Sequence, residues 1–76
     1  AYEGYRLAVS NENVPGMLGQ MTAVLAERNI NVIDLVNKSR DGIAYNLIDL
    51  SEAPDQGLID AIAQIESVIN VRVIDH

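Results

Sequence analysis

The chain has no cysteine, phenylalanine or tryptophan among its 76 residues, and its single histidine is the last residue, His76. Without cysteine there is no disulfide framework and no thiolate metal site. Without an internal imidazole, the serine and threonine hydroxyls lack the base that a hydrolase triad requires. The acids lack EF-hand spacing, and no glycine-rich phosphate motif occurs. We therefore expect no catalytic centre, no metal site and no cofactor in this domain.

Basic residues are also scarce, since five bases against eleven acids give a formal net charge of −6. Excess negative charge repels nucleic acids and anionic membranes. No apolar run approaches the ~18 residues of a transmembrane helix, and no basic-then-apolar leader occurs. We expect a cytoplasmic protein with neither nucleic acid nor membrane as partner. Because the sequence begins with Ala1 and not with Met, we also expect it to be excised from a longer chain or processed.

The apolar residues, 49% of the chain, are almost all aliphatic, and their spacing predicts one domain over residues 1–76 with a core of about 5–74. Alternation predicts four strands, at about 5–10, 32–38, 43–50 and 69–73. Helical spacing predicts helices at about 15–28, with Pro15 in the first turn, and 58–65. Asp41-Gly42 predicts a tight hairpin, and Asp55 is a candidate N-cap.

The order βαββαβ favours an α+β, ferredoxin-like fold, with a four-stranded antiparallel sheet and both helices on one face. Right-handed crossovers place the first and fourth strands side by side, with the third beside the first and the second at an edge. The third strand is apolar on both faces, with Tyr45 and Leu47 on one and Ile48 and Leu50 on the other. The uncovered face is either covered by a partner or carries scattered exposed apolar residues.

Asparagine is the unusual polar residue at the strand ends. Asn11 and Asn13 follow the first strand, and Asn31 opens the second. An amide offers a donor and an acceptor without charge, which suits a small zwitterion, although asparagines also form ordinary turns and caps. The loop leads into a helix N-terminus, which favours a carboxylate, and Gly16 permits close approach of a ligand. We expect Gly16→Val to block the ligand and leave the fold largely intact.

In the predicted topology the first and second strands run the same way, so Asn11 and Asn13 lie at one end of the sheet and Asn31 at the other. A seven-residue strand spans roughly 23 Å, so one small ligand cannot touch both ends within one chain. A homodimer through the edge strand, about 32–38, would bring one chain's Asn31 to its partner's loop. The sequence therefore predicts a C₂ dimer with two shared sites.

Four segments, within about residues 5–74, together form a recognisable pattern: 11–20, 29–32, 37–40 and 44–49. In these segments the chain resembles the ACT domain family, and more narrowly the C-terminal regulatory ACT domains of D-3-phosphoglycerate dehydrogenases. The resemblance implies that a small amino acid, with serine as the leading candidate, binds at the interface of two domains. It assigns the loop contact to Asn13 and the partner's contact to Asn31. Asn11 stands where serine-sensitive members have histidine.

The residues that these arguments assign to the ligand lie in the loop, at the start of the first helix and at the start of the second strand. They are Asn11, Asn13, Val14, Pro15, Gly16, Met17, Leu18 and Asn31. The resemblance implies an amino-acid-sensing regulatory domain of serine biosynthesis, whose parent enzyme binds NAD in other domains. Two alternatives remain: an oligomerisation module with a vestigial ligand site, and a small stand-alone enzyme, for which base and metal ligands are missing.

Overall fold

The computed structural model describes residues 5–74, and these fold in the order βαββαβ. His76 therefore lies outside the described residues. All four predicted strands are confirmed, and their ends lie within two residues of the predicted ones. The elements are β1 (Tyr5–Glu12), α1 (Met17–Glu27), β2 (Val32–Arg40), β3 (Ile43–Leu50), α2 (Gln56–Ala63) and β4 (Val68–Ile74).

The four strands form one sheet in the order β2-β3-β1-β4, with every neighbouring pair antiparallel. This order confirms the predicted ferredoxin-like topology, with β2 at one edge and β4 at the other. β1 and β2 both run antiparallel to β3, so they run in the same direction. The loop after β1 and the residues before β2 therefore lie at opposite ends of the sheet.

Two local signals in the sequence are confirmed. Asp41 and Gly42 both have positive φ, 55° and 79°, and form the two-residue hairpin between β2 and β3. Positive φ at both central residues matches the right-handed twist of the strands. The Asp55 carboxylate accepts a hydrogen bond from the Leu58 amide at 2.8 Å, which caps the N-terminus of α2.

The start of α1 differs from the prediction. The helix begins at Met17, so Pro15 lies in the preceding turn and not in the first helical turn. Gly16, at the N-cap, has φ 84°, in the left-handed region where a β-branched residue is strongly disfavoured. The expectation that Gly16→Val leaves the fold largely intact is therefore wrong, because the substitution strains the backbone at the start of the helix.

The hydrophobic core lies between the two helices and one face of the sheet. Side chains from β1 and β3 alternate into it, and the helices contribute residues at helical spacing. The core residues are Leu7, Val9, Met17, Met21, Leu25, Ile48, Leu50, Leu58 and Ile62, each at most 5% exposed. At about 25 cal/mol per Å² of buried apolar surface, this layer is the main source of stability.

The other face of the sheet carries no helix from the described residues. Tyr45 is 51% exposed there and Leu47 is half-buried, so β3 has apolar residues on both faces as predicted. On the same face the Arg6 guanidinium donates to both oxygens of Asp49, at 2.6 and 3.0 Å. Asp49 is only 5% exposed, and the Arg6 hydrogen bonds lower the pKa of its carboxyl.

Candidate functional site

A cavity of about 310 Å³ lies where the loop after β1, the first turns of α1 and the neighbouring ends of β2 and β3 meet. Every residue that lines it is uncharged. The lining residues are Asn11, Asn13, Val14, Gly16, Met17, Leu18, Gly19, Met21, Asn37, Ala44 and Asn46. Asparagine amides and backbone groups therefore form part of its wall, and aliphatic and methionine side chains form the rest. None of these lining groups carries a charge.

Backbone hydrogen bonds hold the loop of the cavity on both sides. The Asn13 amide donates to the carbonyl of Gly42 at 2.9 Å, which ties the loop to the β2–β3 hairpin. The Glu12 amide donates to the carbonyl of Ser67 at 2.8 Å, which ties it to the residue before β4. Because the loop is fixed at two points, the exposed side chain of Asn13 lies beside the cavity without a large ordering cost.

The N-terminus of α1 forms another wall. No side chain from residues 5–74 caps it, and the first backbone bond of the helix runs from the Gln20 amide to the Gly16 carbonyl at 3.1 Å. The amides of Met17, Leu18 and Gly19 precede that bond, and all three residues line the cavity. Uncapped amides and the positive end of the helix dipole favour an anionic group.

A chain of three asparagine side chains, Asn37–Asn46–Asn11, forms the wall on the sheet. The Asn37 Nδ2 donates to Asn46 Oδ1 at 2.6 Å, and the Asn46 Nδ2 donates to Asn11 Oδ1 at 2.7 Å. Asn46 Nδ2 also donates to the carbonyl of Val9 at 3.3 Å, and Asn11 Nδ2 to that of Glu12 at 2.7 Å. Asn11 and Asn46 are each 1% exposed, whereas Asn37 is exposed.

Six of the eight residues assigned to the ligand from the sequence line this cavity. Pro15 does not line it, and lies in the turn before α1. Asn31 lies at the far end of the sheet, where its carbonyl accepts a hydrogen bond from the Ser51 amide at 3.1 Å. The structure thus brings the loop and helix residues together and leaves Asn31 apart, in the placement that the strand directions predict.

Sequence reasoning missed Asn37 and Asn46 as site residues. Asn46 alternates with Ala44 and Ile48 on the helix-facing side of β3, so it occupies a core position. A polar residue at a core position must find hydrogen-bond partners, and this was the available signal. The register then pairs Asn37 directly with Asn46, so both amides lie at the same cavity.

Other kinds of site find little support in residues 5–74. Over that range, no group of three or more His, Cys, Asp or Glu residues is placed to hold a metal ion. No helix of that part of the chain is long and apolar enough to cross a bilayer. A second depression, of about 280 Å³, lies on the uncovered sheet face between β1, β3 and β4, with Tyr45 and Arg72 among its lining residues.

The comparison with known protein families agrees with this geometry. The family model of the ACT domain matches residues 5–67, which is most of the chain. The chain belongs to the ACT domain family. The match includes the loop after β1, α1 and the β2–β3 hairpin, and therefore every residue that lines the cavity.

This ACT domain is similar to part of a curated homoserine dehydrogenase from Pseudomonas aeruginosa, with 30% identity over 70 residues. The match covers 88% of this chain but only 16% of the length of that protein. In that relative the similar region is a small part of a larger chain. The narrower resemblance to D-3-phosphoglycerate dehydrogenase stays a prediction.

Solved structures show the same fold. The ACT domain of GTP pyrophosphokinase from Chlorobium tepidum superposes with a TM-score of 0.76 at 20% identity, covering 92% of this chain and 95% of that one. A homoserine dehydrogenase from Thiobacillus denitrificans gives a TM-score of 0.66 at 24% identity, covering 92% of this chain and 16% of that one. The ACT fold therefore occurs both as a separately solved domain and as a small part of a larger enzyme.

Proposed function

We propose that this ACT domain binds a small amino acid in the 310 Å³ cavity and regulates a larger enzyme. The observation that carries the proposal is the placement of the uncapped N-terminus of α1 beside neutral side-chain amides in one uncharged cavity. A zwitterionic amino acid has one carboxylate, one ammonium and no net charge. Helix amides suit the carboxylate, and amide oxygens suit the ammonium.

The size and lining of the cavity support a ligand of this class. Its volume lies near the lower end of the range for small-molecule sites. Val14, Met17, Leu18 and Met21 supply an apolar wall against which a short side chain can pack. Serine is the leading candidate, on the resemblance of the loop and of residues 37–40 to the dehydrogenase domains that sense it.

We also propose that the site is shared between two copies of the domain. β2 is an edge strand, and Ile33 and Val36 on it are 59% and 39% exposed. Asn37, also on β2, lines the cavity, so the cavity borders the edge that a second copy would join. If β2 pairs antiparallel with the β2 of a second copy, the start of the partner's strand lies beside the end of this one. The partner's Asn31, just before that start, then lies near this cavity.

For the parent enzyme, we propose a cytoplasmic NAD-dependent dehydrogenase of amino-acid biosynthesis. The resemblance of the sequence favours D-3-phosphoglycerate dehydrogenase, and the curated relative is also a dehydrogenase. In either case NAD binds outside this domain. A ligand that bridges two ACT domains stabilises one arrangement of the subunits, and it regulates catalysis if the enzyme's activity differs between arrangements.

One observation favours the alternative function, an oligomerisation module with a vestigial site. The hydrogen bonds of Asn11 and Asn46 run to each other, to Asn37 and to backbone carbonyls. Buried amides satisfied in this way have a structural role even when no ligand binds. In that case the dimer forms through β2 and no amino acid changes its stability.

Calorimetric titration with glycine, alanine, serine, threonine, valine and homoserine tests the proposal. The expected result is binding by at least one of them at one site per chain. Binding by another member of the panel without serine overturns the assignment to serine sensing. A dimer that binds none of them leaves the oligomerisation module as the function.

A further inference from the structure

The direction of every hydrogen bond in the Asn37–Asn46–Asn11 chain is fixed by backbone carbonyls. The carbonyl of Val9 accepts from Asn46, and that of Glu12 accepts from Asn11. A carbonyl can only accept, so both side chains must direct Nδ2 toward these groups and cannot be flipped. Asn46 Oδ1 is then left to accept the third bond, from Asn37.

This fixed direction reaches the cavity through Asn37. Its Nδ2 must point to Asn46 Oδ1, at 2.6 Å, because two amide oxygens would repel each other. Its own Oδ1 therefore lies at the free end of the chain of amides, on an exposed side chain that lines the cavity. The buried amides thus place the Oδ1 acceptor of Asn37 at this free end, beside the second hydrogen of Nδ2, which Asn46 does not accept.

We infer that Asn37 Oδ1 accepts a hydrogen bond from the α-ammonium of the ligand, and that the site therefore selects α-amino acids over the corresponding α-keto acids. This inference rests on the proposed function, because it assumes an amino acid in this cavity. A keto acid has an acceptor oxygen where the amino acid has its ammonium. A keto oxygen that faces Asn37 Oδ1 finds no donor on that atom and is repelled by it, whereas the ammonium donates to it, so the keto acid should bind more weakly.

The test uses two matched ligand pairs, serine with hydroxypyruvate and alanine with pyruvate. Each is titrated calorimetrically into the dimeric domain. The wild-type protein is expected to bind the amino acid at least tenfold more tightly than its keto acid. Asn37→Ala is expected to lower amino-acid affinity at least tenfold and to leave keto-acid affinity unchanged, so that the selectivity is lost.

Asn70→Ala is the matched control. Asn70 is also an exposed asparagine on an edge strand, β4, but it does not line this cavity. Its substitution is expected to change neither affinity. In the wild-type protein, the side-chain amide resonances of Asn37 should shift with the amino acid and not with the keto acid, a measurement that needs no variant.

Asn46 acts as a positioning residue in this scheme. Asn46→Ser is expected to lower the ratio of amino-acid to keto-acid affinity, because a freed Asn37 amide can turn its Nδ2 toward a keto oxygen. A merely structural role of Asn46 would weaken both ligands equally and leave the ratio unchanged.

The outcomes separate the inference from the proposed function. The role of Asn37 is overturned if Asn37→Ala lowers the affinities for amino acid and keto acid equally. It is also overturned if the wild-type protein binds both members of each pair equally well. Either result leaves the amino-acid site intact. If neither serine, alanine nor any other member of the amino-acid panel binds the wild-type dimer, the proposed function is wrong and the inference falls with it.

Discussion

Asn13 and Asn31 lie at opposite ends of the sheet. The Asn13 amide bonds to Gly42 in the hairpin before β3, and the Asn31 carbonyl bonds to Ser51 just after β3. The eight residues of β3 lie between these two contacts and separate them by about 30 Å. One small ligand can contact both side chains only if they belong to different chains, and this makes the shared-site hypothesis directly testable.

Subunit mixing tests the shared site. We expect Asn13→Ala and Asn31→Ala each to remove most of the thermal stabilisation by the amino acid, because each leaves a polar group of the ligand unpaired. At 100 times its dissociation constant a ligand stabilises by about 2.7 kcal/mol per site. In a domain of this size about 1 kcal/mol shifts Tm by 4–8 °C, so the loss is measurable by thermal unfolding.

Heterodimers of the two variants should regain binding at about half of their sites, since one site then carries both substitutions and the other carries none. Each variant mixed with Asn70→Ala serves as the control for the mixing procedure. If mixing the two variants restores no binding, the two asparagines do not act across one interface.

The dimer edge is tested with a matched pair of charged substitutions. Val36 on β2 and Val73 on β4 are 39% and 38% exposed on opposite edges of the sheet. Val36 is the central residue of β2, so pairing of the strand with its copy about that centre would bring two introduced carboxylates together, and we expect Val36→Glu to give a monomer in sedimentation equilibrium. Val73→Glu should stay dimeric. A dimer that is lost only in Val73→Glu would place the interface on β4.

Two glycines of the cavity give opposite predictions for the same substitution. Gly16 has φ 84°, so Gly16→Ala should destabilise the domain by about 1–2 kcal/mol. Gly19 lies inside α1, and a Cβ there meets nothing within 4 Å, so Gly19→Ala should stabilise it by about 0.5–1 kcal/mol. Urea denaturation measures both. Equal effects of the two substitutions would contradict the left-handed conformation of Gly16.

The Arg6–Asp49 pair predicts a pH dependence of stability. The Arg6 hydrogen bonds lower the pKa of Asp49 in the folded state, so the carboxylate stabilises the fold above its unfolded pKa of about 4. This contribution is lost as the pH falls through the lowered folded-state pKa. Asp49→Asn should cost about 1–3 kcal/mol at pH 7.

The difference between Asp49→Asn and the wild-type protein should shrink as the pH falls through the lowered pKa of Asp49, because the wild-type carboxyl then becomes protonated. Chemical denaturation at pH 7, 4 and 2 measures this difference. A difference independent of pH would mean that the cost is one of packing and not of the ion pair.

The amino-acid sequence alone determined the order of the elements, the Asp41-Gly42 hairpin and the Asp55 cap, because periodicity, turn residues and caps act over a few neighbouring residues. The strand order then followed from the order of the elements, because right-handed crossovers leave few alternatives. It also placed six of the cavity residues, since those lie close together in sequence, between the end of β1 and the first turn of α1. The left-handed φ of Gly16 was decided only in the folded chain, because it depends on the direction in which the loop after β1 leads into α1. The joining of Asn37, Asn46 and Asn11 was also decided there, because strand register brings together amides that are up to 35 residues apart.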